Sequence, residues 1–268
     1  MPLWEPLWEL HRGESPLVIN VPHAGTHIPG ALQPRMTAVA QDLADTDWHV
    51  EKLYDFVRAQ DVTLMCATHS RYVIDLNRDP SGAPLYPGAD NTELCPTRTF
   101  ANEALYGDGE VPASAEIDSR CATYFDVYHA ALREEIERVR ARHGYAVLLD
   151  GHSIRSEVPR FFRGRLPDLN LGTANGASCA PSLEECAAQI IRDASGFTFA
   201  VNGRFKGGWI TRHYGDPQLN VHALQLEIAQ ACYMDEMPPY PWTAARAVSL
   251  DLVLHRLCAA LSAWRPSA

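Results

Sequence analysis

A continuous apolar run followed by Asp and Gly characterises residues 146–153, whose sequence is AVLLDGHS. Such a run, without alternation of polar and apolar residues, is typical of a strand buried on both faces of a parallel sheet. We expect this strand to end at Asp150 and Gly151, which leaves His152 at its carboxyl end. Because open α/β sheets bind ligands at that edge, His152 is a candidate functional residue.

A second run of the same kind, PLVINVPHAG at residues 16–25, also ends in a histidine, His23, followed by a small residue and a glycine. A lone histidine at the end of a strand is most often structural, although histidine is also the side chain best suited to metal binding and proton transfer. Two histidines that follow two neighbouring strands can lie side by side at one sheet edge, and this pairing favours a functional interpretation.

The pattern of strands and helices along the chain predicts an α/β fold. We expect one domain over residues 1–268, with a central mixed, mostly parallel sheet flanked by helices. An edge segment is expected over 1–15 and a long loop over 81–112, where Gly, Pro, Asn and Asp are frequent. The predicted strands are 17–21, 63–67, 71–76, 146–150, 197–202 and 224–228, and the predicted helices are 39–60, 114–143, 182–195 and 243–263.

Cap signals mark three of these helix boundaries. Asp45 and Thr46, in the sequence DTDW, are cap candidates for the first helix. The sequence SLEE at residues 182–185 has the spacing of a capping box for the third helix. Gly144 is a natural stop for the second. Between 155 and 182 the sequence shows no periodicity, so no element is predicted there.

Charge and cysteine content exclude several classes of function. The net charge is -10 and there is no basic block, so no nucleic-acid partner is expected, whereas a small anionic ligand remains compatible. The seven cysteines are scattered, odd in number and without a CxxC pair, which predicts reduced thiols in a cytoplasmic protein. No apolar stretch approaches the roughly twenty residues of a membrane span, and the amino terminus lacks a signal-peptide pattern.

Zinc in a catalytic site takes three protein ligands and keeps one position open for water. His23, His152 and one carboxylate of the DTDW turn, either Asp45 or Asp47, could supply this set. The chain has no HExxH pair that would fix two ligands on one helix. The metal site therefore depends on the fold bringing distant loops together.

Six motifs in a fixed order add a resemblance to a known family. They are NVPHAGTHIP, DTDWHVEKLY, RYVIDLNRDP, DGHSIRS, NGRFKGGWITRHYG and LQLEI, and they span about residues 17–230. Together they resemble the N-formylglutamate amidohydrolase family, whose fold is similar to that of zinc carboxypeptidases and aspartoacylases.

The resemblance implies a Zn2+ site, or a site for another divalent metal, with His23, Asp47 and His152 as ligands. Carboxypeptidases take their acidic ligand from an HxxE motif, but residue 26 is threonine in this chain. The acidic ligand must therefore come from elsewhere, and both Asp47 and Asp45 remain candidates.

The resemblance also implies roles for residues around the metal. Glu227, in LQLEI, matches the general base of the carboxypeptidase-like enzymes. Asn77 and Arg78 match the Asn-Arg pair that holds a substrate carboxylate, to which a guanidinium binds through two hydrogen bonds. Further candidates for substrate binding are Arg71, Arg155 and Arg212.

The implied activity is hydrolysis of N-formyl-L-glutamate to formate and L-glutamate, a step of histidine breakdown. One alternative keeps the fold and the metal but acts on another N-acylated acidic amino acid or a small amide. Another is a non-catalytic binding protein for an acidic amino-acid derivative. A serine hydrolase that uses Ser153 is disfavoured because the chain lacks the GxSxG elbow. The sequence does not predict an oligomeric state.

Overall fold

The structure is a computed structural model that describes residues 6–266. Residues 1–5, which belong to the predicted edge segment, lie outside the described part. The strands are β1 (Trp8–His11), β2 (Leu17–Val21), β3 (Thr63–Ala67), β4 (Ala146–Ile154), β5 (Leu169–Gly172), β6 (Phe199–Val201) and β7 (Val221–Ala229). The helices are α1 (Ala38–Gln41), α2 (Val50–Tyr54), α3 (Ser114–Arg120), α4 (Asp126–His143), α5 (Pro181–Arg192), α6 (Trp209–Tyr214) and α7 (Ala244–Ala263).

All seven strands that the described residues form belong to one sheet, in the order β1-β3-β2-β4-β7-β5-β6. Strand β2 pairs in parallel with β3 and β4, β4 with β7, and β5 with β6, whereas β1 and β5 run antiparallel to β3 and β7. This confirms the predicted mixed, mostly parallel sheet. The carboxyl ends of β2, β4 and β7 consequently meet at one edge.

Helices cover both faces of the sheet. On one face, α2, α5 and α7 contribute to a core that includes Ile19 of β2, and on the other face α4 and α6 contribute to a core that includes Val18. Successive side chains of a strand point to opposite faces, so a strand covered on both faces is mostly apolar. Within residues 6–266, no helix combines the length and the apolarity that crossing a membrane requires.

The central strands are confirmed, with three differences from the prediction. Strand β4 continues through His152 to Ile154, so the histidine lies inside the strand near its carboxyl end. Strand β5 was not predicted. Residues 71–76 form turns instead of a strand, because their polar groups bond locally: the Val73 amide donates to the Ser70 carbonyl and the Arg71 guanidinium binds Asp75.

The predicted helix over residues 39–60 is interrupted. It consists of α1, a turn that contains DTDW, α2, and a 3-10 segment over 55–60. Left-handed backbone at Leu43 (φ 51°) and His49 (φ 64°) separates α1 from α2. Asp45 and Thr46 do not cap a helix: the Asp45 carboxylate accepts hydrogen bonds from the Phe100 amide and the Tyr72 hydroxyl.

Helix α6 was not predicted, whereas the other remaining helices follow the prediction except in their caps and regularity. The long helix over 114–143 contains a π-helical turn at 121–125 and ends at Gly144 (φ 80°), as expected. Helix α5 has Pro181 in its first turn and no side-chain cap, so the predicted capping box is wrong. The Ser182 hydroxyl instead accepts a hydrogen bond from the Trp264 indole. Residues 81–112, all of them described, contain no helix and no strand beyond isolated bridges.

Candidate active site

The predicted functional side chains meet at the carboxyl edge of the central strands. His23 follows β2 by two residues, His152 lies in β4, and Glu227 of β7 is the register partner of His152. Asp47 reaches the same place from the turn before α2, where its amide donates a hydrogen bond to the His23 carbonyl. The two imidazole rings are 4.9 Å apart between centroids.

His23, Asp47 and His152 form a buried cluster whose candidate ligand atoms all lie within 4.8 Å of one another. The Asp47 Oδ2 atom is 3.0 Å from His152 Nδ1 and 3.7 Å from His23 Nδ1. Asp45 is held by Phe100 and Tyr72 and does not belong to the cluster. Of the two acidic candidates in DTDW, the structure therefore places Asp47 with the histidines.

The second ring nitrogen of each histidine, Nε2, lies within hydrogen-bond distance of a further buried carboxylate. His23 Nε2 is 2.7 Å from Asp75 Oδ1, and His152 Nε2 is 2.8 Å from Asp150 Oδ2. A carboxylate that accepts the Nε2 proton leaves the lone pair of each imidazole on Nδ1, the atom that faces Asp47. Metal-binding histidines commonly show this carboxylate–imidazole arrangement, which orients the ring and increases its basicity.

The charges of the cluster favour a cation between the two Nδ1 atoms and Asp47. Burial alone would lower the pKa of His152, but the negative charges of Asp150 and Asp47 outweigh it and raise this pKa well above its usual value. The pKa of Asp47 is lowered despite its burial, because both histidines favour its charged form. His23 Nδ1 is buried and has no hydrogen-bond partner among the described residues. The two imidazoles and the carboxylate are thus placed to bind a metal ion.

Asn77 holds the His152 side of the cluster in place. Its Nδ2 atom is 2.9 Å from His152 Nε2 and 3.3 Å from Asp150 Oδ2, while its Oδ1 accepts a hydrogen bond from the Ile210 amide. A Cβ atom at Gly208 would lie 2.3 Å from Asn77 Nδ2, so only glycine allows the backbone before α6 to approach this closely. The Asn77 amide is therefore occupied by protein groups.

Arg71 supports the His23 side. Its guanidinium donates to Asp75 Oδ2 at 2.7 Å and lies 3.4 Å from Asp47 Oδ1. Burial would raise the pKa of Asp75, but the positive charge of Arg71 dominates and holds it well below the usual range. Asp75 is thereby kept ionised and able to accept the proton of His23 Nε2.

A cavity that is partly open to solvent borders the cluster, and all three cluster residues form part of its wall. Glu227 lines it, together with the predicted substrate-binding residues Arg71, Asn77 and Arg78. Burial raises the pKa of the Glu227 carboxyl to about 8. Its Oε2 atom accepts a hydrogen bond from the Gln225 amide at 3.1 Å. A buried carboxyl whose pKa is displaced toward neutrality is typical of groups that transfer protons.

Comparison with known proteins identifies the family. The family model for N-formylglutamate amidohydrolase matches residues 15–234. The chain belongs to the N-formylglutamate amidohydrolase family. It is 46% identical over 254 residues to the N-formylglutamate deformylase of Pseudomonas putida, covering 95% of both chains. It is 45% identical over 253 residues to the enzyme of that name from Pseudomonas aeruginosa, covering 94% of this chain and 95% of the relative.

Two solved structures are similar to the chain. The crystal structure of N-formylglutamate amidohydrolase from Ralstonia eutropha JMP134 matches with a TM-score of 0.78 and 30% identity, covering 94% of this chain and 96% of that one. A gene product of Agrobacterium tumefaciens has the same fold, with a TM-score of 0.70 at 17% identity and 96% of each chain covered.

Two predicted substrate-binding arginines do not line the cavity within the described residues. Arg155 follows β4, and its guanidinium is 3.9 Å from Asp45. Arg212, in α6, donates to the carbonyls of Gly207 and Leu85 and faces other surface depressions. Arg212 packs on Tyr86, which lines the cavity, but neither arginine is itself a lining residue.

Sequence reasoning missed several residues that line the cavity. They are Tyr86, Phe100, Phe161, Arg204, Phe205 and Gln225. Arg204 belongs to the motif NGRFKGGWITRHYG, between β6 and α6, but the motif alone does not distinguish it from the other cationic residues there. The aromatic residues come from loops without periodicity, so only the folded chain brings them together.

We predict that Asp150→Asn weakens divalent-cation binding by about 10- to 100-fold, because a neutral amide no longer increases the basicity of His152. Competition with a chromophoric chelator measures the affinity. Asp79→Asn, which removes the same charge from an exposed-loop carboxylate that accepts hydrogen bonds from Ser81, is the matched control. Circular dichroism verifies that both variants are folded, and an unchanged affinity in folded Asp150→Asn would contradict the assigned role.

Proposed function

We propose that this chain is a metal-dependent hydrolase that cleaves the formamide of N-formyl-L-glutamate to formate and L-glutamate. The observation that carries the proposal is the buried cluster of His23, Asp47 and His152 beside Glu227, in an arginine-lined cavity of a member of the N-formylglutamate amidohydrolase family.

His23, Asp47 and His152 would hold the metal, with Asp75 and Asp150 fixing the two imidazoles. A divalent cation bound there would supply Lewis-acid chemistry, which would polarise an amide carbonyl and make water a stronger nucleophile near neutral pH. We propose zinc, because two imidazoles and one carboxylate suit it, although the same donors also accept iron, cobalt or manganese.

Glu227 would act as the general base and then as the general acid. Its carboxylate takes a proton from the water whose oxygen attacks the formyl carbon. It then delivers that proton to the leaving nitrogen as the C–N bond breaks, so that formate and the free amine of glutamate are released. The hydrogen bond from Gln225 holds the carboxylate in one orientation during both transfers.

Of the cavity residues Arg71, Asn77 and Arg78, the first two would position the metal-binding cluster, and Arg78 would bind the substrate. Arg71 and Asn77 are committed to Asp75, Asp47, Asp150 and His152, and therefore orient the cluster. Arg78 lines the cavity and donates to Thr92 Oγ1 and to the Asn77 carbonyl. Since its Nη2 atom is 3.9 Å from Asp75, it retains capacity for a substrate carboxylate.

The proposed reaction would complete one route of histidine breakdown in the cytoplasm. All seven cysteines are free thiols, and four of them are buried. Free thiols are typical of a reducing compartment, which supports this location.

Assay of the purified, metal-loaded protein on two substrates tests the proposed function. We expect release of formate and glutamate from N-formyl-L-glutamate, with N-acetyl-L-aspartate hydrolysed at least about tenfold less efficiently because its acyl group is larger and its side chain shorter. The preference is measured as the ratio of kcat/KM values. A preference for N-acetyl-L-aspartate would contradict the proposed substrate, and binding without turnover of either compound would contradict an enzymatic role.

Replacing Glu227 tests the mechanism. Glu227→Gln keeps the shape of the side chain but removes the proton acceptor, so kcat is expected to fall by about 100- to 10,000-fold. Glu157→Gln, on an exposed side chain, is the matched control and should leave kcat unchanged. Elemental analysis should find equal metal content in both variants. Wild-type turnover by Glu227→Gln would rule out the proposed base.

A further inference from the structure

Three arginines line the cavity within the described part of the chain, and two of them are already engaged near the metal cluster. Arg71 is bound to Asp75 and lies close to Asp47. Arg78 is 3.9 Å from Asp75, the carboxylate that also contacts His23. Arg78 is thus separated from a candidate metal ligand by a single carboxylate.

Arg204, the third arginine, differs from the other two. Its Nε atom donates to the Phe161 carbonyl at 2.8 Å. Among residues 6–266, no carboxylate forms an ion pair with it, and no group accepts a hydrogen bond from its Nη1 or Nη2 atom. A partly buried guanidinium with two unused donor nitrogens, in a chain of net charge -10, is suited to an anionic ligand.

Aromatic contacts hold this guanidinium in one orientation. Its central carbon is 4.9 Å from the ring centroid of Tyr86 and 5.4 Å from that of Phe205. The Tyr86 hydroxyl accepts a hydrogen bond from the Lys206 amide, which ties the long loop to the segment that carries Arg204. Rings that pack against the guanidinium restrict its rotation and leave the donor edge available for a planar carboxylate.

The acidic group of this part of the cavity does not compete for Arg204. Asp90 lines the cavity, but both of its carboxylate oxygens accept hydrogen bonds from Arg160, at 2.8 and 2.9 Å. The negative charge of Asp90 is therefore already balanced.

The two carboxylates of N-formyl-L-glutamate match one arginine beside the metal cluster, Arg78, and one further from it, Arg204. Its α-carboxylate is attached to the carbon that bears the formamide nitrogen, so it must stay near the metal cluster, as Arg78 does. Its second carboxylate is two methylene groups further away. Arg204 contacts Phe161, Tyr86 and Phe205 and has no contact with the cluster, which makes it the partner for the distal group.

We propose that Arg204 binds the side-chain carboxylate of the substrate and thereby selects for an acidic side chain. This inference rests on the proposed function and deepens it: Arg78 orients the α-carboxylate for the reaction, whereas Arg204 distinguishes glutamate from neutral amino acids of the same shape.

Comparison of N-formyl-L-glutamate with N-formyl-L-glutamine tests the inference, since the two differ only in the distal group, a carboxylate in one and a neutral carboxamide of similar shape in the other. The wild-type chain is expected to prefer the acid by about 10- to 100-fold in kcat/KM, the range for a hydrogen bond to a charged group. In Arg204→Gln this ratio should fall to about one, mainly through a higher KM for the acid. In Arg204→Lys, which keeps the charge but not the paired donors, the ratio should be intermediate.

Two controls separate selection from structural effects. Arg78→Gln should lower kcat/KM for both substrates by a similar factor and leave the ratio unchanged. Exposed Arg163, replaced by glutamine, controls for the loss of one positive charge and should have no effect. If the wild-type ratio persists in both Arg204 variants, or if Arg204→Gln impairs both substrates equally, the inference is wrong.

Calorimetry with L-glutamate and L-glutamine distinguishes failure of this inference from failure of the proposed function. We expect the wild-type chain to bind L-glutamate more tightly, and Arg204→Gln to lose that preference. If the wild-type chain hydrolyses neither formylated substrate, the proposed function fails, yet a preference for L-glutamate that depends on Arg204 would still support the inference. Equal binding of both amino acids by the wild-type chain would overturn it.

Discussion

Buried negative charge is the constraint on which this site depends. Asp47, Asp75 and Asp150 lie in the interior within hydrogen-bond distance of two imidazoles, and an uncompensated carboxylate in that position is strongly unfavourable. Arg71 balances part of this charge. The remaining negative charge is balanced at His152, whose ring lies between two carboxylates. The balance comes either from a second proton on that ring or from a cation bound between His152 and Asp47. The folded chain thus holds the groups that can bind a cation in place before a cation binds.

The central strands could be predicted because burial on both faces favours a continuous run of apolar residues, which is visible in the sequence. Strand β2 was predicted with its observed bounds, and β4 only in part, since the prediction ended it at the first polar residue. His152 nevertheless stays in the strand, because residues 151–154 remain paired with β7, and carboxylates on both sides of the ring satisfy its buried nitrogens. The predicted strand over 71–76 failed for the opposite reason: its apolar residues are buried, but side-chain bonds of Arg71 and Asp75 hold the backbone in turns.

The sequence indicated the site residues that follow strands or belong to the family motifs, but not the residues that only the folded loops bring to the cavity. Parallel strands bring their carboxyl ends together, so His23 and His152 could be expected at one edge, whereas Glu227 was indicated by the family resemblance. The choice between Asp45 and Asp47 required the structure, because both belong to a turn that interrupts the predicted helix. Arg204 could not be found from sequence, since its significance lies in the absence of a partner within the described residues.

The central claim is that a metal ion held by the His23, Asp47 and His152 cluster is required for hydrolysis of N-formyl-L-glutamate. The most direct test measures bound metal and turnover in the same samples, after chelation and during stepwise addition of zinc. The account predicts that activity is lost with the metal and returns in proportion to bound zinc, reaching its maximum at one ion per chain. Full activity in protein shown by elemental analysis to be free of metal would contradict it.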